Sequence, residues 1–114
     1  MWDFYRDHYG GTALEVGEFP GFLARAEDQM AMYERMYRIY GDGEARRMAL
    51  CALAEAIAYF EAAQNGQGGL RYASVGTVSV SGKGIYSQMD ISPVAREQEL
   101  LRCVKRYMTL YRGV

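Results

Sequence analysis

The sequence predicts a mainly α fold: a small bundle of three long helices plus a short N-terminal element, with a β-hairpin inserted before the C-terminal helix. Three observations carry this expectation. Apolar residues recur at steps of three and four in three separate stretches; each stretch opens on a helix-start signal; and glycine and β-branched residues are concentrated between the second and third stretches. A chain of 114 residues is one domain's worth and buries roughly two-thirds of its extended-chain surface, so residues 1–114 are read as a single domain.

The N-terminal "WDFYRDHY" reads as a short helix or an arm whose aromatics pack onto the bundle. From Phe19, the positions Leu23, Ala26, Met30, Tyr33, Tyr37 and Tyr40 fall on one helical stripe. Gly17 and Pro20 mark the start, because proline fits a first turn that has no use for its N–H, and "GDG" at 41–43 marks the stop. The first helix is therefore expected over 19–40. Asp42 caps a second helix that runs without interruption to Asn65 and Gly66. Its alanine stripe, Ala45, Ala49, Ala52, Ala56 and Ala63, permits close approach, and Leu50, Leu53, Ile57 and Phe60 flank it, which suits a helix in the middle of a bundle. Ser92 and Pro93 form an N-cap and first-turn proline for the third helix. Its stripe is Leu100, Val104, Tyr107 and Tyr111, backed by Leu101 and Met108, and Gly113 is the expected stop.

Six of the thirteen glycines fall within 66–84, and Val75, Thr77, Val78 and Val80 between them are strand formers. A hairpin is expected over about 66–91, with a turn or bulge at Gly76, where Val75 and Val78 cannot share a face. An isolated two-stranded ribbon is marginal in water, so it must pack on its own helices or find partners on another chain.

Catalytic and metal chemistry find little support. His8 is the single histidine and lies between acids and aromatics, which reads as a surface position. Cys51 and Cys103 lie in helical patterns with 51 residues between them and without metal-ligand spacing, so they read as reduced core thiols. "GTVSVSGKG" misses phosphate-loop spacing, with Gly84 where Ser or Thr must hold magnesium, and "GDGEAR" lacks the third glycine of a dinucleotide fingerprint. Glu27, Asp28 and Glu34 fall off the apolar stripe, with Glu34 spaced to pair with Arg38. No cofactor, metal site or catalytic residue is expected. Nor is a membrane span or a signal peptide, so the cytosol is the expected compartment.

Charge is unevenly placed within a net charge of -1: residues 1–45 hold nine acids and four bases, residues 96–114 five bases and two acids. On the last helix Arg102, Lys105, Arg106 and Arg112 follow the final acid, Glu99, and Arg102 and Arg106 repel at i, i+4. A solvated face beside a helix C-terminus explains such a cluster; so does a phosphate backbone, or an acidic protein surface such as the N-terminal half of a neighbouring copy.

The order "FYRDHYGG", "FPGFLARAED", "RRMALCALAEAIAYFE", "SVGTVSVS" and "RYMTLYRGV" resembles the small head-tail connector proteins, or head-completion adaptors, of tailed phages and prophages. Its most specific parts are Ser74 to Ser81 and Leu110 to Val114. The resemblance implies a non-enzymatic virion component, assembled in the host cytoplasm as a ring between portal and tail-side proteins, with DNA passing through without sequence-specific binding. On that reading Val75, Val78, Val80, Arg102, Lys105, Arg106, Tyr111 and Arg112 form the assembly interface. The rival is a small helical DNA-binding regulator that uses the basic C-terminal helix.

Overall fold

The computed structural model describes residues 1–64 and 92–112. The fold is mainly α. An N-terminal π-helical turn, Phe4–Tyr9, leads into α1 (Phe19–Met36), β1 (Tyr37–Tyr40), α2 (Gly43–Gln64), α3 (Pro93–Tyr107) and β2 (Thr109–Arg112). The hairpin expected over 66–91, with Val75, Val78 and Val80, lies outside the described residues, as do the Asn65–Gly66 and Gly113 stops.

α2 is the middle of the bundle. It packs against α1 on one side and α3 on the other, and every residue from 49 to 60 is buried. A helix that is apolar around its whole circumference cannot face water, and the alanines on it let both neighbours approach closely. Its start is fixed locally, because Asp42 Oδ1 accepts the Ala45 N–H at 2.7 Å. Ser92 performs the same service for α3, its Oγ accepting the Ala95 N–H at 3.2 Å ahead of Pro93. Phe19, Ala26, Met30 and Tyr33 of α1 and Leu100, Cys103 and Val104 of α3 complete the core. Trimming Leu53, wholly buried on α2, to alanine is expected to cost about 2–5 kcal/mol through lost contacts and the cavity left behind.

Two helix ends differ from the sequence expectation. α1 stops at Met36 instead of reaching residue 40, and α3 stops at Tyr107 instead of running almost to the chain end. Tyr37 and Met108 both turn extended, at φ/ψ of -131/157 and -132/156. The four residues after α1 then pair antiparallel with 109–112: Tyr37 opposite Arg112, Arg38 opposite Tyr111, Ile39 opposite Leu110 and Tyr40 opposite Thr109. Tyr, Ile, Thr and Leu sit comfortably on a pleated surface, and the ladder supplies main-chain hydrogen bonds that another helical turn would have supplied. The change of period from 3.6 to 2 reverses two assignments. Tyr40 and Tyr111, placed on buried stripes by the sequence pattern, are 53% and 58% exposed. It also separates Glu34 from Arg38; Glu34 Oε2 instead meets Arg46 Nε of α2 at 3.3 Å.

Candidate functional site

The most unusual group in the core is Glu55, a carboxylate in the middle of α2 with only 4% of its surface exposed. No cation faces it. Its Oε2 accepts the Tyr5 hydroxyl at 2.7 Å and its Oε1 accepts the Tyr9 hydroxyl at 3.2 Å. Tyr5 is itself fully buried, and its hydroxyl oxygen accepts the Leu14 N–H at 2.9 Å. One phenol thus links the N-terminal turn, the loop before α1 and the central helix.

The turn is shaped for that role. It sets Tyr5 and Tyr9, four residues apart, on one side with their rings stacked at 5.8 Å. It ends at Gly10 in the left-handed region, φ 79°, where glycine alone carries no side-chain penalty. Gly11 follows flat against the Tyr5 ring, so close that a β-carbon there would overlap it. Trp2 and Phe19 pack on Tyr5 at 5.5 and 4.8 Å, and Arg47 of α2 lies over the Phe4 ring at 5.0 Å. His8 stacks on Phe4 at 4.7 Å and sits 3.5 Å from Glu44, at the surface as expected.

Burial pushes the Glu55 carboxyl above its ordinary range, opposed by the hydrogen bonds from Tyr5, Tyr9 and the Ala13 backbone. Burial also lifts both phenols far above theirs, with the Glu55 charge adding to it. They therefore stay protonated and keep donating. Cys51, one turn before Glu55, is a buried free thiol pushed up to about 12 by burial and then by the Glu55 charge. With both oxygens hydrogen-bonded, this carboxylate ties the N-terminal turn to α2. The sequence does hold a signal for it: Glu55 is the one charge inside the otherwise apolar "MALCALAEAIAYF".

The candidate interface residues are dispersed. Arg102 is exposed on α3 and pairs with Glu99 at 2.9 Å, an ordinary i, i+3 contact. Lys105 and Arg106 are exposed in the last turn of α3. Tyr111 stands on β2 with its ring 5.6 Å from Tyr40, edge to face, and Arg112 occupies the register position opposite Tyr37. The structure thus gathers Lys105, Arg106 and Tyr111 at the strand end of the bundle, joined by Arg35, Arg38 and Tyr40, which the sequence pattern assigned to helix.

These elements define a small mainly α bundle with an added strand pair. Among the described residues, no helix is long and apolar enough to cross a membrane, and no group of three or more His, Cys, Asp or Glu could hold a metal ion. Comparison of the chain with protein-family models, with curated proteins and with solved structures finds no match.

Proposed function

We propose that this chain is a non-enzymatic structural protein of a tailed phage or prophage, a connector that assembles as a ring between portal and tail and extends the channel for DNA. The reading rests on the resemblance carried by Ser74 to Ser81 and Leu110 to Val114. The observation that supports it best is the division between interior and surface. The central helix is enclosed by its own chain and its buried carboxylate, Glu55, is taken up by tyrosines, whereas exposed aromatic and basic side chains collect at the strand end. Such a protomer is self-sufficient inside and specialised outside, which suits assembly. The portal and the tail-side connector proteins are its partners, the virion is its destination and the host cytoplasm its place of assembly.

A DNA-binding regulator is the second reading, favoured by the exposed Lys105 and Arg106 at the end of α3. Mass photometry and negative-stain imaging, with and without isolated portal, distinguish the two. Rings, alone or seated on portal, support the connector. A stable dimer that retards an oligonucleotide, with affinity falling steeply as salt rises, overturns it.

A further inference from the structure

Antiparallel pairing puts Arg38, Tyr40, Thr109 and Tyr111 on the outward face of the ribbon, all exposed. Among the described residues each strand has a single neighbour, so the ribbon's outer edges carry unpaired backbone groups. Arg35, in the last turn of α1, and Lys105 and Arg106, in the last turn of α3, stand at the same end. None of these three, nor Arg38, has a carboxylate partner among the described residues. Helix C-termini favour cations, which accounts for Arg35, Lys105 and Arg106. It accounts neither for Arg38 on a strand nor for two large tyrosine rings left in water. Tyrosine and arginine together are the residues that dominate interface energetics.

The opposite sign lies at the middle of α1. Glu27 and Asp28 are exposed there without a cation partner among the described residues, Glu18 precedes the helix, and the nearby Arg25 is already paired with Glu61 of α2. We infer that the cationic, tyrosine-bearing ribbon end of one copy docks on the acidic middle of α1, Glu27 and Asp28, of a second copy. This deepens the assembly reading and rests on it, because it names the two surfaces that would meet. The patches differ, so the contact is heterologous and propagates head to tail, closing into a ring where the rotation allows. The cations steer the approach and the tyrosines supply the desolvated centre.

The test is sedimentation velocity on the full chain across protein and salt concentration, with two charge-reversed variants. In Arg38→Glu/Lys105→Glu/Arg106→Glu both patches are acidic; in Glu27→Lys/Asp28→Lys both are basic. The inference expects wild type to associate and to weaken with added salt. Each variant alone should lose about tenfold or more in association constant, and an equimolar mixture of the two should recover it, since every contact between unlike variants is again complementary. Tyr40→Ser/Tyr111→Ser should weaken association at unchanged charge; should that variant fail to fold, the charge swap decides alone. Wild type that associates equally well in both charge variants overturns the inference and leaves the connector reading standing. So does wild type that stays monomeric throughout, since rings could still form on a portal. Ribbon-dependent oligonucleotide binding by a monomer overturns both.

Discussion

Replacing Tyr5 with phenylalanine removes one oxygen and keeps the ring, so the aromatic packing on Phe19 and Trp2 survives while two buried polar groups lose a partner. Glu55 Oε2 loses its shortest hydrogen bond, at 2.7 Å, and the Leu14 N–H loses its acceptor. A buried group left unsatisfied costs about 1–3 kcal/mol, more when it is charged, so a loss of about 3 kcal/mol is expected. An unfolding entropy of about 2.1 cal/mol/K per residue over 114 residues converts that into a fall in Tm of about 12 °C. Calorimetry and urea unfolding measure it. Tyr5→Phe combined with Glu55→Leu should recover part of the loss, because it avoids a stranded carboxylate; the Leu14 N–H stays orphaned, and the Tyr9 hydroxyl and the Ala13 backbone lose their acceptor, so recovery is incomplete. A Tyr5→Phe protein within about 0.5 kcal/mol of wild type would refute the claim that this phenol is the structural link between the N-terminal turn and α2.

The same cluster makes a pH prediction of unusual sign. The folded Glu55 carboxyl is raised, so the native state holds that proton more tightly than the unfolded chain; its contribution is greatest below the unfolded carboxylate range and declines as pH rises through the folded value. Glu55→Gln should remove this decline from the wild-type curve of stability against pH, and Tyr5→Phe should extend it to higher pH by deleting a hydrogen bond that favours the charged form. Gly11→Ala should destabilise by about 1–3 kcal/mol, because the new methyl must displace the Tyr5 ring, which thermal melts detect. Asp42→Ala should cost about 1 kcal/mol of stability in urea titration through loss of the Ala45 cap. Cys51 should resist a thiol reagent at pH 8 in the native protein and react promptly once urea unfolds it.

The parts of the fold that were legible in the sequence are those specified by neighbouring residues. Asp42 and Ser92–Pro93 signal α2 and α3 through bonds made within a single turn, and the alanine and leucine pattern of α2 places it at the centre without reference to any other segment. The strand pair was not legible because its cause is distant. "YRIY" continues the helical spacing of α1 as well as it suits a strand, and the choice is made by residues 109–112, which lie about 70 positions further on. "TLYR" is ambiguous in the same way after α3. Glu55 was overlooked for a different reason: a lone glutamate in an apolar helix says that something must satisfy it, but the donors, Tyr5 and Tyr9, come from a turn whose π-helical width no periodicity announces. Among the interface residues, charge and position marked Lys105 and Arg106, whereas Arg38 and Tyr40 needed the strand before they could be seen to share a face with Tyr111.

The pairing of 37–40 with 109–112 also imposes an order of events on a nascent chain. About 70 residues must be synthesised between Tyr40 and Thr109, which at about 5–20 residues per second means that roughly 4–14 s pass before the first strand can meet its mate. Once α2 has been made, in the first part of that interval, α1 and α2 can collapse on each other, while "YRIY" waits with its partner strand still unmade. Arg38 in the middle of so short a strand sets a charge on an otherwise open edge, and charges on strand edges discourage pairing with other chains.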